Sequence, residues 1–179
     1  MAEIAQGGQI FAGVPSGIPA KAVRVGLYTA EQRLRRDNTV WTLVQGLLAP
    51  FQFLVFLISL GLICRFLMTG EGLAAANLSV IAKTLTLYTI MITGAIWEKV
   101  VFGKYLFAPA FFWEDVVSMG VIALHTAYLI ALYTGALTSH QMMALALAAY
   151  ATYAVNAAQF IWKLRRARLQ AASMKATAA

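Results

Sequence analysis

Four stretches of this chain stay apolar for longer than a soluble core helix requires, and charge, Gly and Pro gather between them. The first covers about 41–67 (WTLVQGLLAPFQFLVFLISLGLICRFL) and is interrupted only by Gln45, Gln52 and Pro50, a residue that bends a helix. The second covers about 78–101, with Lys83 toward one end and Glu98-Lys99 toward the other. The third, about 113–132, opens on Glu114-Asp115 and contains His125; the fourth, about 141–164, is rich in Ala and Tyr and runs into KLRRAR. Each has the roughly 20 residues that a helix needs to cross the hydrocarbon core of a bilayer. Strands with open edges cannot satisfy their backbone groups in lipid, so the pattern predicts an all-α polytopic membrane protein with four transmembrane helices.

The polar positions inside these stretches have a spacing of their own. Gln45, Gln52 and Ser59 recur every seven residues, which at roughly 100° per residue makes one slowly drifting stripe. Hydrogen bonding to a neighbouring helix is the plain reading of such a stripe. On the fourth helix Tyr153, Asn156 and Gln159 or Lys163 share a face. Asn156 is about 10 Å deeper than Lys163 at 1.5 Å of rise per residue, a depth that also suits a pocket wall. On the third, Glu114, Ser118 and His125 share a face, with His125 about 16 Å inward from Glu114.

Composition places the whole chain in the membrane class: 61% of residues are hydrophobic, 12% are charged, and the mean hydropathy is +0.73. Lys21, Arg24, Arg33, Arg35 and Arg36 precede the first span, and Lys163, Arg165, Arg166, Arg168 and Lys175 close the last. Basic residues accumulate on the cytoplasmic side, so both termini are expected there, as an even number of spans requires. The uncharged turn TGALTSHQ would face the opposite side. The net charge of +7 then reflects topology and anionic lipid headgroups, with no nucleic-acid partner expected. Residues 1–26 contain Gly and Pro without helical periodicity and read as a flexible tail; they lack the continuous apolar core of a cleaved signal peptide. The membrane domain is expected over 27–169, with a second tail at 170–179. Cys64 is the only cysteine, so no intramolecular disulfide can form and a Cys-based metal site is not expected. The chain carries no internal repeat, P-loop, dinucleotide fingerprint or HExxH motif.

Charge and aromatic residues concentrate in WEKVVFGKYLFAPAFFWED, residues 97–115, between the second and third spans. Glu98 stands at the C-terminal end of its helix, where the dipole disfavours an anion; such a carboxyl is suited to general-acid work, which needs a proton in place before reaction. Its bland alternative is an interfacial pairing with Lys104 or Lys163. Glu114 and Asp115 open the next helix, where the dipole favours anions, and capping alone would explain Asp115. Trp97, Tyr105, Phe112 and Trp113, with Phe102, Phe107 and Phe111, are either a membrane-interface belt or an aromatic slot for a large planar ligand. An imidazole within a membrane, such as His125, suits metal ligation or proton transfer, with a hydrogen-bonded core histidine as its bland counterpart.

The stretch WEKVVFGKYLFAPAFFWEDVVS, with KTLTLYTIMITGAI before it, LYTAEQRLRRDNTVWTLVQGLLAPFQFLVF upstream and ALHTAYL and NAAQFIWKLR downstream, resembles the 3-vinyl bacteriochlorophyllide hydratase family over about residues 27–169. The resemblance implies a membrane enzyme of bacteriochlorophyll biosynthesis in photosynthetic bacteria, a hydro-lyase that adds water to the 3-vinyl group of a chlorophyllide to give a 3-(1-hydroxyethyl) group. Its setting would be the bacterial inner or intracytoplasmic membrane, beside lipid and neighbouring pigment-biosynthesis enzymes. Hydration is redox-neutral, so no cofactor beyond water is expected, and the Mg involved belongs to the chlorin substrate.

For such a reaction the expected acid is Glu98, with Glu114 or Asp115 as the base that orients water. Trp97, Tyr105, Phe112, Trp113 and Asn156 would contact the pigment, and His125 would ligate its Mg or bind a water or Asn156. Two other classes use parts of the same pattern. A non-catalytic pigment-binding or assembly factor would need the slot and His125 but not paired carboxylates. A transporter would spread ionisable groups through the whole membrane depth, whereas here they cluster toward one half.

Overall fold

A computed structural model describes residues 27–177; the tail expected over 1–26 lies outside the described residues. Five helices follow in order: α1 Ala30–Asn38, α2 Val40–Thr69, α3 Leu73–Phe102, α4 Phe112–Thr134 and α5 Ser139–Thr177. The last four are long and apolar enough to cross a membrane. The fold is therefore all-helical with four spans.

The turns explain where the spans end. Gly70 closes α2 with φ 74°, a left-handed conformation that Gly adopts without a Cβ clash, and its N–H donates 2.8 Å to the Phe66 carbonyl. Gly103 closes α3 in the same way, with φ 82° and a 3.0 Å bond to the Lys99 carbonyl. Two bounds depart from the sequence reading, and one helix is added to it. α3 starts at Leu73 because LAAAN holds good helix formers ahead of the apolar window. α5 continues past Leu164 to Thr177, since ARLQAASMKAT contains neither Gly nor Pro. α1 is an additional short helix, set by a capping box in which Thr29 and Gln32 bond each other's backbone N–H groups.

The bundle consists of two antiparallel hairpins, α2 with α3 and α4 with α5, which pack more extensively within each hairpin than between them. Its outside is apolar: Leu43, Leu47, Phe51, Leu54 and Ile58 form an exposed stripe on α2. Its inside is comparatively polar, because burying Leu against Leu gains little where lipid is equally apolar. The α2 stripe does bond other helices: Gln45 donates to Thr93 on α3 at 2.7 Å, and Ser59 meets Ser79 at 2.7 Å and Tyr150 at 2.5 Å. Gln52 is buried, but its Nε2 has no partner. Two further bonds tie the hairpins together, Tyr128 to Asn77 and Tyr88 with Thr126, each 2.7 Å.

The start of α2, the end of α3, the start of α4 and the charged part of α5 lie at one end of the bundle. Trp97 Nε1 donates 2.9 Å to Thr42, Tyr28 stacks on Phe102, and Lys163 reaches Glu114. The Gly70 and Gly135 turns lie at the other end, where Phe66 meets His140. Tyr28, outside the spans, is buried, which raises its phenol above the usual value against the opposing Arg36 guanidinium 4.7 Å over its ring.

Candidate active site

Three carboxyl groups come together at the Tyr28 end. Glu98, from the last turn of α3, is 5% exposed; Glu114 and Asp115, from the first turn of α4, are 7% and 3% exposed. Glu98 and Asp115 stand side by side, held by successive N–H groups of one loop. Glu114 instead forms an ion pair with Lys163 of α5, so Lys163 is taken by Glu114, and the alternative pairing of Glu98 with it is not formed.

Residues 103–111 cover the pair. The Phe107 N–H donates 2.7 Å to Asp115 Oδ2, and the Ala108 N–H donates 3.3 Å to Glu98 Oε2. Phe107 reaches this position with φ 58°, a left-handed backbone that costs a non-Gly residue roughly 1–3 kcal/mol and that clusters at functional sites. Two successive N–H groups thus point at two adjacent carboxyls. Nothing in the residue pattern signals this, apart from Pro109 marking a break in the helix.

The aromatic run divides into two sets. Trp97, Phe102, Phe111 and Phe160 pack ring against ring behind the carboxyls, with centroids 5.7–5.8 Å apart. Tyr105, Phe112 and Trp113 are turned outward and exposed, as is Phe107 against Phe112. The slot expected from sequence is therefore a packed wall with an exposed aromatic fringe. Asn156 stands below it, donating 2.6 Å to Ser118 Oγ while its Oδ1 is buried without a partner. Ser118 follows Glu114 by one helical turn, so this free acceptor lies just inside the carboxyl cluster.

His125 is placed elsewhere. It is fully buried ten residues beyond Asp115 on the same helix, about 15 Å deeper by rise. Its Nδ1 donates 2.8 Å to the Val121 carbonyl, its Nε2 has no partner, and its ring stacks on Tyr150. Lys83 belongs to this inner region and not to a span end, because α3 begins earlier than its apolar window; it is fully buried, with Nζ 3.7 Å over the Tyr153 ring. Among the described residues no three His, Cys, Asp or Glu side chains are gathered to hold a metal ion.

Residues 28–166 match the 2-vinyl bacteriochlorophyllide hydratase family. The chain belongs to this family. It is 69% identical over 155 residues to the 2-vinyl bacteriochlorophyllide hydratase of Rhodobacter capsulatus, covering 87% of this chain and 90% of that protein. It is 73% identical over 143 residues to the hydratase of the same name from Cereibacter sphaeroides, covering 80% and 89%. These names number the vinyl position 2 where the sequence resemblance used 3. No solved structure matches the chain. The matched residues take in α2, α3 and α4 whole, α5 as far as Arg166, the 103–111 loop and every carboxyl of the site.

Proposed function

We propose that this chain adds water to the ring vinyl group of a chlorophyllide or bacteriochlorophyllide, giving the 1-hydroxyethyl product, at the Glu98–Asp115 pair. The reading rests on family membership for the reaction and on one observation for its place: two buried carboxyls lie side by side beneath an aromatic loop, each accepting one of its N–H groups. Alkene hydration needs a proton on carbon and then a base for the attacking water, and a pair that holds one proton supplies both in turn.

Glu98, the protonated member of the pair, gives its proton to the terminal CH2 of the vinyl group, leaving a cation delocalised into the electron-rich chlorin. The pair, now fully ionised, stabilises that cation. Water attacks the inner carbon and passes a proton to Asp115, and transfer of that proton to Glu98 restores the starting state. The partnerless Asn156 Oδ1 can accept the water's second hydrogen, and the Glu114–Lys163 ion pair holds α4 and α5 in place beside the pair. The vinyl edge reaches the carboxyls when the 103–111 loop lifts, and release of the strained Phe107 backbone favours that movement. The cycle is redox-neutral and uses water alone as co-substrate.

His125 has the arrangement of a ligating imidazole, with Nδ1–H on a carbonyl and Nε2 bare. Its depth of about 15 Å below Asp115 exceeds the span from the centre of a chlorin to its vinyl carbons. We therefore assign it to the interior of the bundle and not to the metal of the reacting pigment. The carboxyl end is assigned to the cytoplasmic face of a bacterial inner or intracytoplasmic membrane, since the basic flanks of α1 and α5 lie with it.

Incubation with vinyl pigment in oxygen-18 water tests the reaction. A hydratase places the label in the hydroxyethyl group, whereas a pigment-binding factor returns unlabelled vinyl pigment.

A further inference from the structure

Beside Glu114 a cavity of about 340 Å³ opens between residue 27 and α5, lined by Leu27, Glu114, Gln159, Trp162, Lys163, Arg166 and Ala167. Three of these residues carry charge, and one charge cancels another, because Lys163 is paired with Glu114. Arg166 is left over. Its guanidinium lies 4.6 Å over the Trp162 ring, and among the described residues it has no carboxylate within salt-bridge distance. The cavity therefore has one net positive charge, presented by a planar fork that binds carboxylates in two-pronged fashion. Trp162 is 62% exposed and gives the cavity a flat apolar wall. The cavity also includes the Glu114–Lys163 pair, and Glu114 is the chain neighbour of Asp115. One molecule can thus touch Arg166 with one edge and approach the carboxyl pair with another.

We propose that Arg166 binds the free carboxylate of the pigment, so that the enzyme selects the unesterified acid over its ester. This rests on the hydratase reading and adds the feature by which the substrate is recognised. An anionic lipid headgroup offers similar chemistry, but Arg165 and Arg168, exposed on the same turn and outside the cavity, are as open to headgroups as Arg166 is.

The test compares hydration of the free-acid vinyl pigment with that of its methyl ester, for the purified full chain in detergent with and without phosphatidylglycerol. Wild type is expected to favour the acid by about tenfold or more in kcat/KM, carried by KM, as loss of a charge-assisted contact implies. Arg166→Gln is expected to bring the acid-to-ester ratio close to one, Arg166→Lys to restore part of it, and Arg165→Gln to keep it. Equal use of acid and ester by wild type overturns the proposal. So does a preference that persists in Arg166→Gln, or one that appears only with phosphatidylglycerol. Oxygen-18 incorporation is followed in the same reactions: its absence from both pigments refutes the hydratase reading, whereas its presence without selectivity refutes only the role of Arg166.

Discussion

At the Tyr28 end of the bundle each of the three buried carboxyls meets a donor: Ala108 N–H for Glu98, Phe107 N–H for Asp115 and the Lys163 ammonium for Glu114. In the interior, the nitrogens Gln52 Nε2, Lys83 Nζ and His125 Nε2 meet none. Lys83 lies 15 residues from Glu98 along α3, about 22 Å by rise, so the regions do not share groups. The charged end combines ionisable side chains with strained backbone, an arrangement suited to chemistry. The interior joins the two hairpins through hydroxyl bonds, such as Ser59 with Tyr150, and aromatic stacking, an arrangement suited to holding the helices in register.

The strongest test of that contrast is turnover. Glu98→Gln keeps an acceptor for the Ala108 N–H and removes the proton, and should lower kcat by about 10²- to 10⁴-fold while the pigment still binds; a variant that hydrates at the normal rate removes Glu98 from the reaction. Asp115→Asn should fall in the same range. Groups acting as a unit are not additive, so the double variant should lose little more than the worse single one.

A smaller effect is expected on stability. Glu114→Gln leaves Lys163, only about a quarter exposed, without its counter-ion, and should destabilise the fold by about 1–3 kcal/mol, less than for a wholly buried pair. Adding Lys163→Met should recover most of that in thermal unfolding; no recovery would mean that the pair does not hold α4 to α5.

The interior should respond in the opposite sense. Lys83→Met removes a buried amine whose one interaction is with the Tyr153 ring, and is expected to raise stability by about 1 kcal/mol with turnover within about threefold. A loss of rate as large as that of Glu98→Gln would place the interior in the reaction and end the distinction between the two regions. The smallest change is expected for Tyr150→Phe, about 0.6 kcal/mol, the average for a hydrogen bond between membrane helices. His125→Phe should leave the absorption of bound pigment unchanged, and a shift would return His125 to the pigment's metal.

Much of this was legible in the residues. Four apolar runs, their helical character and the inward faces of Glu114, Ser118 and His125 followed from length and spacing, because lipid allows few alternatives to a helix. The α1 helix was also legible in TAEQ, a capping box, although apolar windows pass over so short and polar a segment. The burial of Lys83 was less so, since it depends on where α3 begins.

The sequence by itself determined that this chain crosses a membrane, how many helices do so, and that a band of acids and aromatics joins the second span to the third. Hydropathy and helical period are local properties, and each span is held by its own backbone bonds. Only the tertiary structure decided how the acids divide, with Asp115 meeting Glu98 and Glu114 meeting Lys163. Glu114 and Asp115 are neighbours in sequence, but about 100° apart around their helix, and which of them faces α3 and which faces α5 depends on how two separately formed hairpins pack.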